Sequence, residues 1–366
     1  MVYYIYRIKI PPMKNKKVIL SLFLIVQIIV LQILSFFPEF IENYYSNGLY
    51  PIVSKTSRTL FGWIPFSIGD IIYFVVIFMI LRWFVMNRKT WKTEWKSNLL
   101  IVVSGISIFY FLFHLLWATN YHRVPLFEKM NIEREYNDAD LMAFTQKLIV
   151  KTNEIHSKLE KIDSLKIMNP YSQELIFKMT LNGYNNLGKE YTFFKYEDPS
   201  IKKSLISLPL TYMGFGGYLN PFTNEAQVND KLPMYNFPFT VCHEMAHQIG
   251  YASESEANFI GFLSTIKNKD LYFQYAGYSY ALKYCLRYWH IRDEKIFEEL
   301  KKKIRPGILK NYDESDAFWL QYNTPIEDGF KVFYDNFLKM NKQEDGLESY
   351  SKFVNLMVGY YKDKEF

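Results

Sequence analysis

The chain has few of the residues that build disulfide scaffolds or large metal clusters. Its 366 residues include only two cysteines, Cys242 and Cys285, and six histidines. Both cysteines lie in apolar, helical-looking surroundings, which predicts buried free thiols in preference to a disulfide. The fold is therefore expected to be held by burial of apolar side chains. Because histidine is scarce, a pair of histidines at metal-binding spacing is evidence for a metal site.

The chain also lacks the features of nucleotide- and nucleic-acid-binding proteins. Gly214, Gly216 and Gly217 lie close together, but no P-loop lysine follows them and no GxGxxG pattern is completed. Residues 1–119 carry 12 Lys/Arg against 4 Asp/Glu, whereas the remainder carries 31 against 33. A basic excess confined to the most apolar third is a membrane-topology signal, and no nucleic-acid partner is expected.

Three apolar runs are long enough to cross a lipid bilayer. They cover residues 18–37, 64–86 and 99–118, and the first contains no charged residue. A cleaved signal peptide would have a shorter apolar core and a small-residue cleavage site, so the first run is expected to be a retained anchor. Residues 1–119 are therefore predicted to form a membrane domain with the lipid bilayer as its partner.

Basic residues indicate the cytoplasmic side of a membrane protein. Residues 1–17 and the connection at 87–98 are basic, so both are predicted to be cytoplasmic. Three crossings of a bacterial inner membrane then place residues 120–366 in the periplasm. The aromatic first connection, residues 38–63, is expected to lie along the membrane interface. Asp70 is interpreted as a helix-start residue in preference to a group at the mouth of a site.

Residues 120–366 are predicted to form one mainly helical α+β domain with a small sheet. Aromatic and β-branched residues favour strands at 191–196 and 204–212, and residues 224–229 are short enough to be an edge strand. Apolar residues at helical spacing indicate helices at 138–155, 172–184, 259–266, 271–289, 314–341 and 347–361.

The segment from Thr240 to Gly250 contains the pattern His243-Glu244-x-x-His247. Residues four apart lie on one face of a helix, so the two imidazoles project side by side. This arrangement is typical of a zinc site in which the glutamate is the general base towards a zinc-bound water. With histidine so scarce, a chance match should occur in about one such chain in a hundred. Glu244 is thus the candidate catalytic residue, and Zn²⁺ the candidate cofactor.

An alternative interpretation makes His243 and His247 ordinary core or capping histidines. The surrounding pattern argues against it, because the apolar side chains of this helix lie on the side opposite the two imidazoles. Pro238 suits the first turn of the helix, and Gly250 suits its end.

A zinc site with two histidines needs a third protein ligand. The position six residues after the second histidine is Ser253, which excludes the metzincin arrangement. Ser253 and Glu256 fit a capping box, which gives Glu256 a structural role and favours Glu254 as the ligand. Glu256 is kept as the alternate ligand. Asn258 shares a helix face with Glu254 and is expected to accept the outer N–H of a ligand histidine.

The HExxH pattern followed by Glu254-x-x-Ala257-Asn258 resembles the gluzincin metallopeptidases. Over nearly its full length, the chain resembles more closely a family of bacterial membrane proteins catalogued as a domain of unknown function. In that family, N-terminal transmembrane helices precede an outer HExxH domain. Residues 61–67 and 213–229 are part of this likeness, which implies a zincin-like fold but no demonstrated activity. Only six residues separate the second histidine from Glu254, where the better-known gluzincins usually have a longer insert.

Together these observations predict a membrane-anchored zinc metallohydrolase of the peptidase type, acting on a peptide or protein substrate. An edge strand should bind the substrate backbone, and residues 224–229 are the candidate. Tyr275, Tyr278 and His290 are candidates to stabilise an oxyanion, and the sequence gives no means of choosing among them. The alternatives are a non-catalytic zinc-stabilised sensor or assembly module of the envelope, and a structural membrane protein with an accidental HExxH.

Overall fold

The computed structural model describes residues 16–341 and 350–366. The first third contains α1 (Lys16–Leu34), α2 (Pro38–Phe40), a π-helical segment (Ile41–Leu49), α3 (Tyr50–Phe61), α4 (Ile68–Asn87) and α5 (Trp95–Leu116). Helices α1, α4 and α5 are long and apolar enough to cross a membrane. The prediction of three N-terminal apolar helices is confirmed, whereas the basic residues at 7–14 lie outside the described part.

The rest of the chain is mostly helical, as expected, with one small sheet. Its helices are α6 (Leu126–Lys129), α7 (Asp138–Leu159), α8 (Gln173–Glu190), α9 (Ser207–Tyr212), α10 (Phe237–Gln248), α11 (Glu254–Ile266), α12 (Leu271–Arg292), α13 (Glu294–Lys301), α14 (Pro306–Gln321), α15 (Pro325–Met340) and α16 (Tyr350–Tyr360). The strands are β1 (Ile201–Lys203), β2 (Gly217–Asn220) and β3 (Glu225–Val228).

The sheet has the strand order β1-β3-β2. β3 pairs in parallel with β1, where Ala226 lies opposite Ile201, and antiparallel with β2, where Gln227 lies opposite Tyr218. The prediction that residues 224–229 form an edge strand is therefore wrong, because this segment is the central strand. The two edge strands are β1 and β2, and β2 directly follows the loop at 213–216.

Two further strand predictions are wrong. Within residues 191–196, the backbone makes only a 3₁₀ turn, Thr192–Phe194, and Phe194 is fully buried. The apolar pattern there reflects filling of the core, which raises apparent strand preference without any strand partner. Within residues 204–212, Ser207–Tyr212 form α9 instead of a strand, consistent with Pro209, whose missing N–H disfavours a strand interior.

The predicted helix at 314–341 is two helices, α14 and α15, separated at Tyr322–Thr324. Pro325 ends any continuous helix because it has no N–H to donate, and it occupies the first turn of α15, a position that proline favours. The predicted helix at 347–361 is represented by α16, and residues 347–349 lie outside the described part.

Helices α10, α11 and α12 form the centre of the core. Ten of the twelve residues of α10 are buried. Helices α7, α8 and α16 pack around these three central helices. Both cysteines are free and buried, as predicted, and burial raises the pKa of each thiol to about 12. Gly183 allows α8 to lie against α11, since a Cβ there would meet the Ser264 carbonyl oxygen at 2.0 Å.

The N-terminal end of α4 is bonded to the sheet. The carboxylate of Glu225, on β3, accepts from the backbone N–H groups of Ile68 at 3.2 Å and Gly69 at 2.6 Å. Asp70 lies in the first turn of α4, as expected of a helix-start residue. Its buried carboxylate accepts from the Leu205 N–H at 2.7 Å and from the Tyr218 hydroxyl, which adds two bonds between α4 and the sheet region. A membrane helix and the sheet are therefore a single packed unit.

The connection between α1 and α4 is helical rather than an open loop, and a buried ion pair fixes it to the rest of the chain. Glu42 accepts two hydrogen bonds from the Arg123 guanidinium, at 2.9 and 2.8 Å, and one from Lys129 at 2.5 Å. Burial alone would raise the pKa of Glu42, but the two cations outweigh it and lower the pKa to about 2.

We expect Glu42→Gln to lower the free energy of unfolding by about 3–5 kcal/mol, because Arg123 would keep a buried charge without its carboxylate. The matched control Glu128→Gln removes an exposed pair with Arg134 and should cost at most about 1 kcal/mol. Thermal unfolding in detergent measures both. Because the pKa of Glu42 is depressed in the fold, its contribution should be present above pH 4.5 and disappear as the pH falls towards 2. Equal shifts for both variants would contradict the prediction.

Candidate metal centre

Helix α10 brings the two histidines of the HExxH pattern together. Pro238 lies in its first turn, and Gly250, with φ of +90°, reverses the chain just after its end, as predicted. The rings of His243 and His247 are 4.7 Å apart at an angle of 89°. Their Nε2 atoms are 3.1 Å apart, so both point to one place.

Glu254, the first residue of α11, brings its carboxylate to the same place. Its Oε2 lies 3.2 Å from His243 Nε2, and its Oε1 lies 3.8 Å from His247 Nε2. The three candidate ligand atoms all lie within 4.8 Å of one another. Gly261 allows the close approach of α11 to α10, since a Cβ there would meet the backbone nitrogen of His243 at 3.1 Å.

The alternate ligand, Glu256, lies elsewhere. Its buried carboxylate accepts from the Leu126 backbone N–H at 2.6 Å, and burial raises its pKa. The predicted capping box does not form, because Glu256 is used in this contact and Ser253 makes no side-chain cap. The structure thus brings Glu254, and not Glu256, to the two imidazoles. Helix α11 begins at Glu254, as expected.

The orientation of the two imidazoles differs from the prediction. His247 Nδ1 lies 2.7 Å from the Tyr251 carbonyl oxygen, which accepts its N–H, so Nε2 is the ring atom directed towards Glu254. Within the described residues, His243 Nδ1 has no hydrogen-bond partner. Asn258 is buried but does not bond to either imidazole, so its predicted role is wrong. The chain reversal at Gly250 returns a backbone carbonyl to the position that the Asn258 amide was expected to fill.

Glu244 lies beside the cluster and against the edge strand β2. A Cβ on Gly217 would meet Glu244 Oε1 at 2.6 Å, so only glycine lets the strand pass this close. The other oxygen, Oε2, is buried and has no hydrogen-bond partner in the described part of the chain. Burial raises the pKa of Glu244 to about 7, despite the opposing effect of the two histidines.

Glu254 has the opposite electrostatics. Burial by itself raises the pKa of this carboxyl, but hydrogen bonds from His243 and His247 outweigh burial and bring the pKa well below its usual range. The site therefore contains one carboxylate held ionised by the imidazoles and a second, Glu244, whose ionisation burial opposes. This division fits a ligand and a base, respectively.

The site includes a tyrosine that the sequence analysis missed. The hydroxyl of Tyr334, on α15, donates to Glu254 Oε1, and its ring packs edge-on against Phe215 at 4.9 Å. Tyr334 is 80 residues from Glu254 in the chain, and no spacing rule connects them. The amphipathic pattern of α15 would have indicated a packed helix, but not its neighbour.

The predicted oxyanion-stabilising candidates lie away from this cluster. The Tyr275 hydroxyl donates to Asn311 at 2.8 Å, and the Tyr278 ring packs edge-on against Phe262 in the core. His290 is half exposed and pairs with Glu294 at 2.9 Å. Each has a structural contact of its own.

The end of α10 is held by side chains from the segments next to the membrane helices. Trp117 Nε1 donates to the His247 carbonyl at 3.2 Å, and the Tyr50 hydroxyl donates to the Gln248 carbonyl at 2.9 Å. Arg123 donates to the Gly250 carbonyl at 2.9 Å. The last carbonyls of a helix have no partners within it, and here Trp117 and Tyr50 donate to two of them while Arg123 holds the turn just beyond.

Comparison with known proteins identifies a family but no activity. No curated protein and no solved structure matches the chain. Residues 45–358 match the family described as "Protein of unknown function (DUF3810)". The matched range includes α4, α5, the sheet and all residues of the candidate metal centre. Since the match covers well over half of the 366 residues, the chain belongs to this family of unknown function.

Proposed function

We propose that this protein is a membrane-anchored, zinc-dependent metallohydrolase of the peptidase type with a zincin-like outer domain. The observation that carries the proposal is the convergence of two imidazole nitrogens and one carboxylate within 4.8 Å. Beside them is the buried carboxylate of Glu244, whose Oε2 has no hydrogen-bond partner among the described residues. Two adjacent helices supply these groups, so the site is built from rigid elements.

The donor set fits zinc. Zinc commonly takes imidazole nitrogen and carboxylate oxygen ligands, and catalytic sites use three protein ligands. Two ligand atoms at about 2.0–2.1 Å from one tetrahedral ion lie about 3.3 Å apart. The separations of 3.1 Å between the two Nε2 atoms and 3.2 Å from His243 Nε2 to Glu254 Oε2 match that value. His243, His247 and Glu254 would hold the ion.

When bound, zinc would polarise a substrate carbonyl and make its bound water a nucleophile near neutral pH. Glu244 Oε2, unpartnered at the side of the cluster, would accept the proton of the attacking water and pass it to the leaving amine. Glu254 fits a ligand better than a base, because the Tyr334 hydroxyl donates to one of its oxygens and the other lies 3.2 Å from His243 Nε2.

Two neighbouring elements would complete the site. β2 is paired on one side only, with β3, and its first residue touches Glu244, so its other edge would bind an extended substrate backbone. The Tyr334 hydroxyl, next to the cluster, would donate to the oxyanion that forms during hydrolysis. The charge distribution favours a bacterial inner-membrane location with the site on the periplasmic side.

We expect Glu244→Gln to keep one zinc per chain and to lose activity by about 10²–10⁴-fold, because the base is removed and no ligand is touched. Zinc content by elemental analysis and turnover of a mixed peptide pool by the protein in liposomes are the measurements. Unchanged turnover in the variant would contradict the mechanism. A zinc-loaded wild-type protein with no turnover of any pool would favour the non-catalytic envelope module.

The pair Glu254→Gln and Glu256→Gln distinguishes the third ligand. We expect Glu254→Gln to weaken zinc binding by more than the roughly 10–100-fold typical of groups that only support ligands. Glu256→Gln should bind zinc normally, since its amide oxygen can still accept from Leu126. Competition with a zinc-chelating dye gives both affinities, and His243→Ala serves as the reference for loss of metal. Zinc loss in Glu256→Gln alone would overturn the assignment.

We expect Tyr334→Phe to lower kcat by about 10²–10³-fold with little change in KM when zinc is saturating, because a transition-state donor is removed. Loss of its hydrogen bond to Glu254 should weaken zinc binding by at most about 10–100-fold. Tyr275→Phe is the matched control: it removes a buried tyrosine hydroxyl whose partner is Asn311 and not a residue of the site, and it should keep kcat. A Tyr334→Phe enzyme as active as the control would exclude the proposed role.

A further inference from the structure

Helix α15 carries an apolar stripe that nothing in the described protein fully covers. Phe333 is 65% exposed and Met340 is 85% exposed, and both belong to a row spaced so that its members share one face of the helix. The row covers fifteen residues, and the fourteen helical steps between its ends extend about 21 Å. Its members are Ile326, Phe330, Phe333, Phe337 and Met340.

The opposite face of α15 is charged. Glu327 pairs with Lys331 at 2.7 Å, and Asp335 pairs with Lys339 at 2.7 Å. Asp328, almost opposite Phe333 around the helix, is exposed. Helix α15 therefore has a protein-contacting flank, a charged face and a separate apolar stripe, which is the pattern of a helix that lies at a membrane surface.

The position of α15 places this stripe at one end of the membrane helices. The Phe337 ring lies 6.1 Å from that of Phe113 and 6.2 Å from that of Tyr121. Phe113 is one turn from the end of α5, a helix whose Phe109 is 54% exposed and available to lipid. The stripe thus continues the exposed apolar surface of α5 close to the C-terminal end of that helix.

The same end of the bundle carries further exposed aromatic side chains. Phe36, Phe37 and Tyr44 follow the end of α1, and Trp63, 79% exposed, precedes the start of α4. Aromatic side chains concentrate at the headgroup level of a bilayer. Helix α15 therefore lies at the level of an aromatic belt.

We propose that α15 lies on the bilayer surface with its apolar stripe buried in the lipid interface and its charged face in water. The lipid surface is the occupant that the contacts favour, because α15 already touches a membrane helix through the same stripe. The inference does not depend on hydrolysis. Phe333 is adjacent to Tyr334, whose hydroxyl bonds to Glu254. The proposed lipid contact would therefore lie one residue from the candidate site.

Single-cysteine labelling of the full chain tests this placement. The natural cysteines are buried and should not react, which labelling of the unmodified protein checks. Phe333→Cys and its matched control Asp328→Cys would each carry a polarity-sensitive fluorophore, in phosphatidylcholine–phosphatidylglycerol liposomes. Half of the samples would contain lipid with a nitroxide close to the headgroup, and the others would receive a soluble iodide quencher.

We expect the Phe333→Cys probe to lose most of its emission to the nitroxide lipid, to resist iodide and to emit at shorter wavelength. The Asp328→Cys probe should show the reverse. Similar quenching of the two probes by iodide would overturn the proposal. A Phe333→Cys probe that neither quencher reaches would also overturn it, because a second protein surface would then cover the stripe.

Discussion

The structure depends on how the C-terminal end of α10 is held. The final carbonyls of a helix must find donors from elsewhere, and here they accept from Tyr50 and Trp117, while Arg123 donates to the Gly250 carbonyl just beyond the helix. All three donors come from chain segments that border the apolar helices. The orientation of the histidine pair is thereby linked to the membrane-facing part of the molecule, and the buried partner of Arg123, Glu42, keeps that link in place.

The candidate site divides into a local part, which the sequence predicts, and a part set by tertiary packing. His243, Glu244 and His247 follow from helical spacing, and Glu254 follows from its place at the start of the next helix. The roles assigned to Asn258 and to the capping box failed because backbone groups from distant turns filled or claimed those positions. Tyr334 could not be found at all, because a contact across 80 residues has no periodic signal in one sequence.

The fold shows the same division. The apolar helices and most of the outer helices could be predicted because a 3.6-residue period persists over several turns. Strands of three or four residues carry no such pattern, and their pairing is decided by what packs on them. β3 is the central strand because β1 and β2 pair with its two edges. Its residue Glu225 also bonds to the start of α4, a contact between residues far apart in the chain. Pro209 and Pro325 are local signals against the predicted strand at 204–212 and the single helix at 314–341.

The membrane helices and the candidate site are best understood as one structural unit. The chain becomes less apolar after about residue 119, but side chains from before and after that residue pack against each other. The edge strand stacks Tyr218 against Tyr73 of α4, and α15 packs Phe337 against Phe113 of α5. These are the two elements that flank Glu244 and Glu254. A separate domain on a flexible tether would need no such contacts. The N-terminal end of α4 and the C-terminal end of α5 instead contact the elements on the two sides of the cluster, so the geometry of the site depends on where these apolar helices lie.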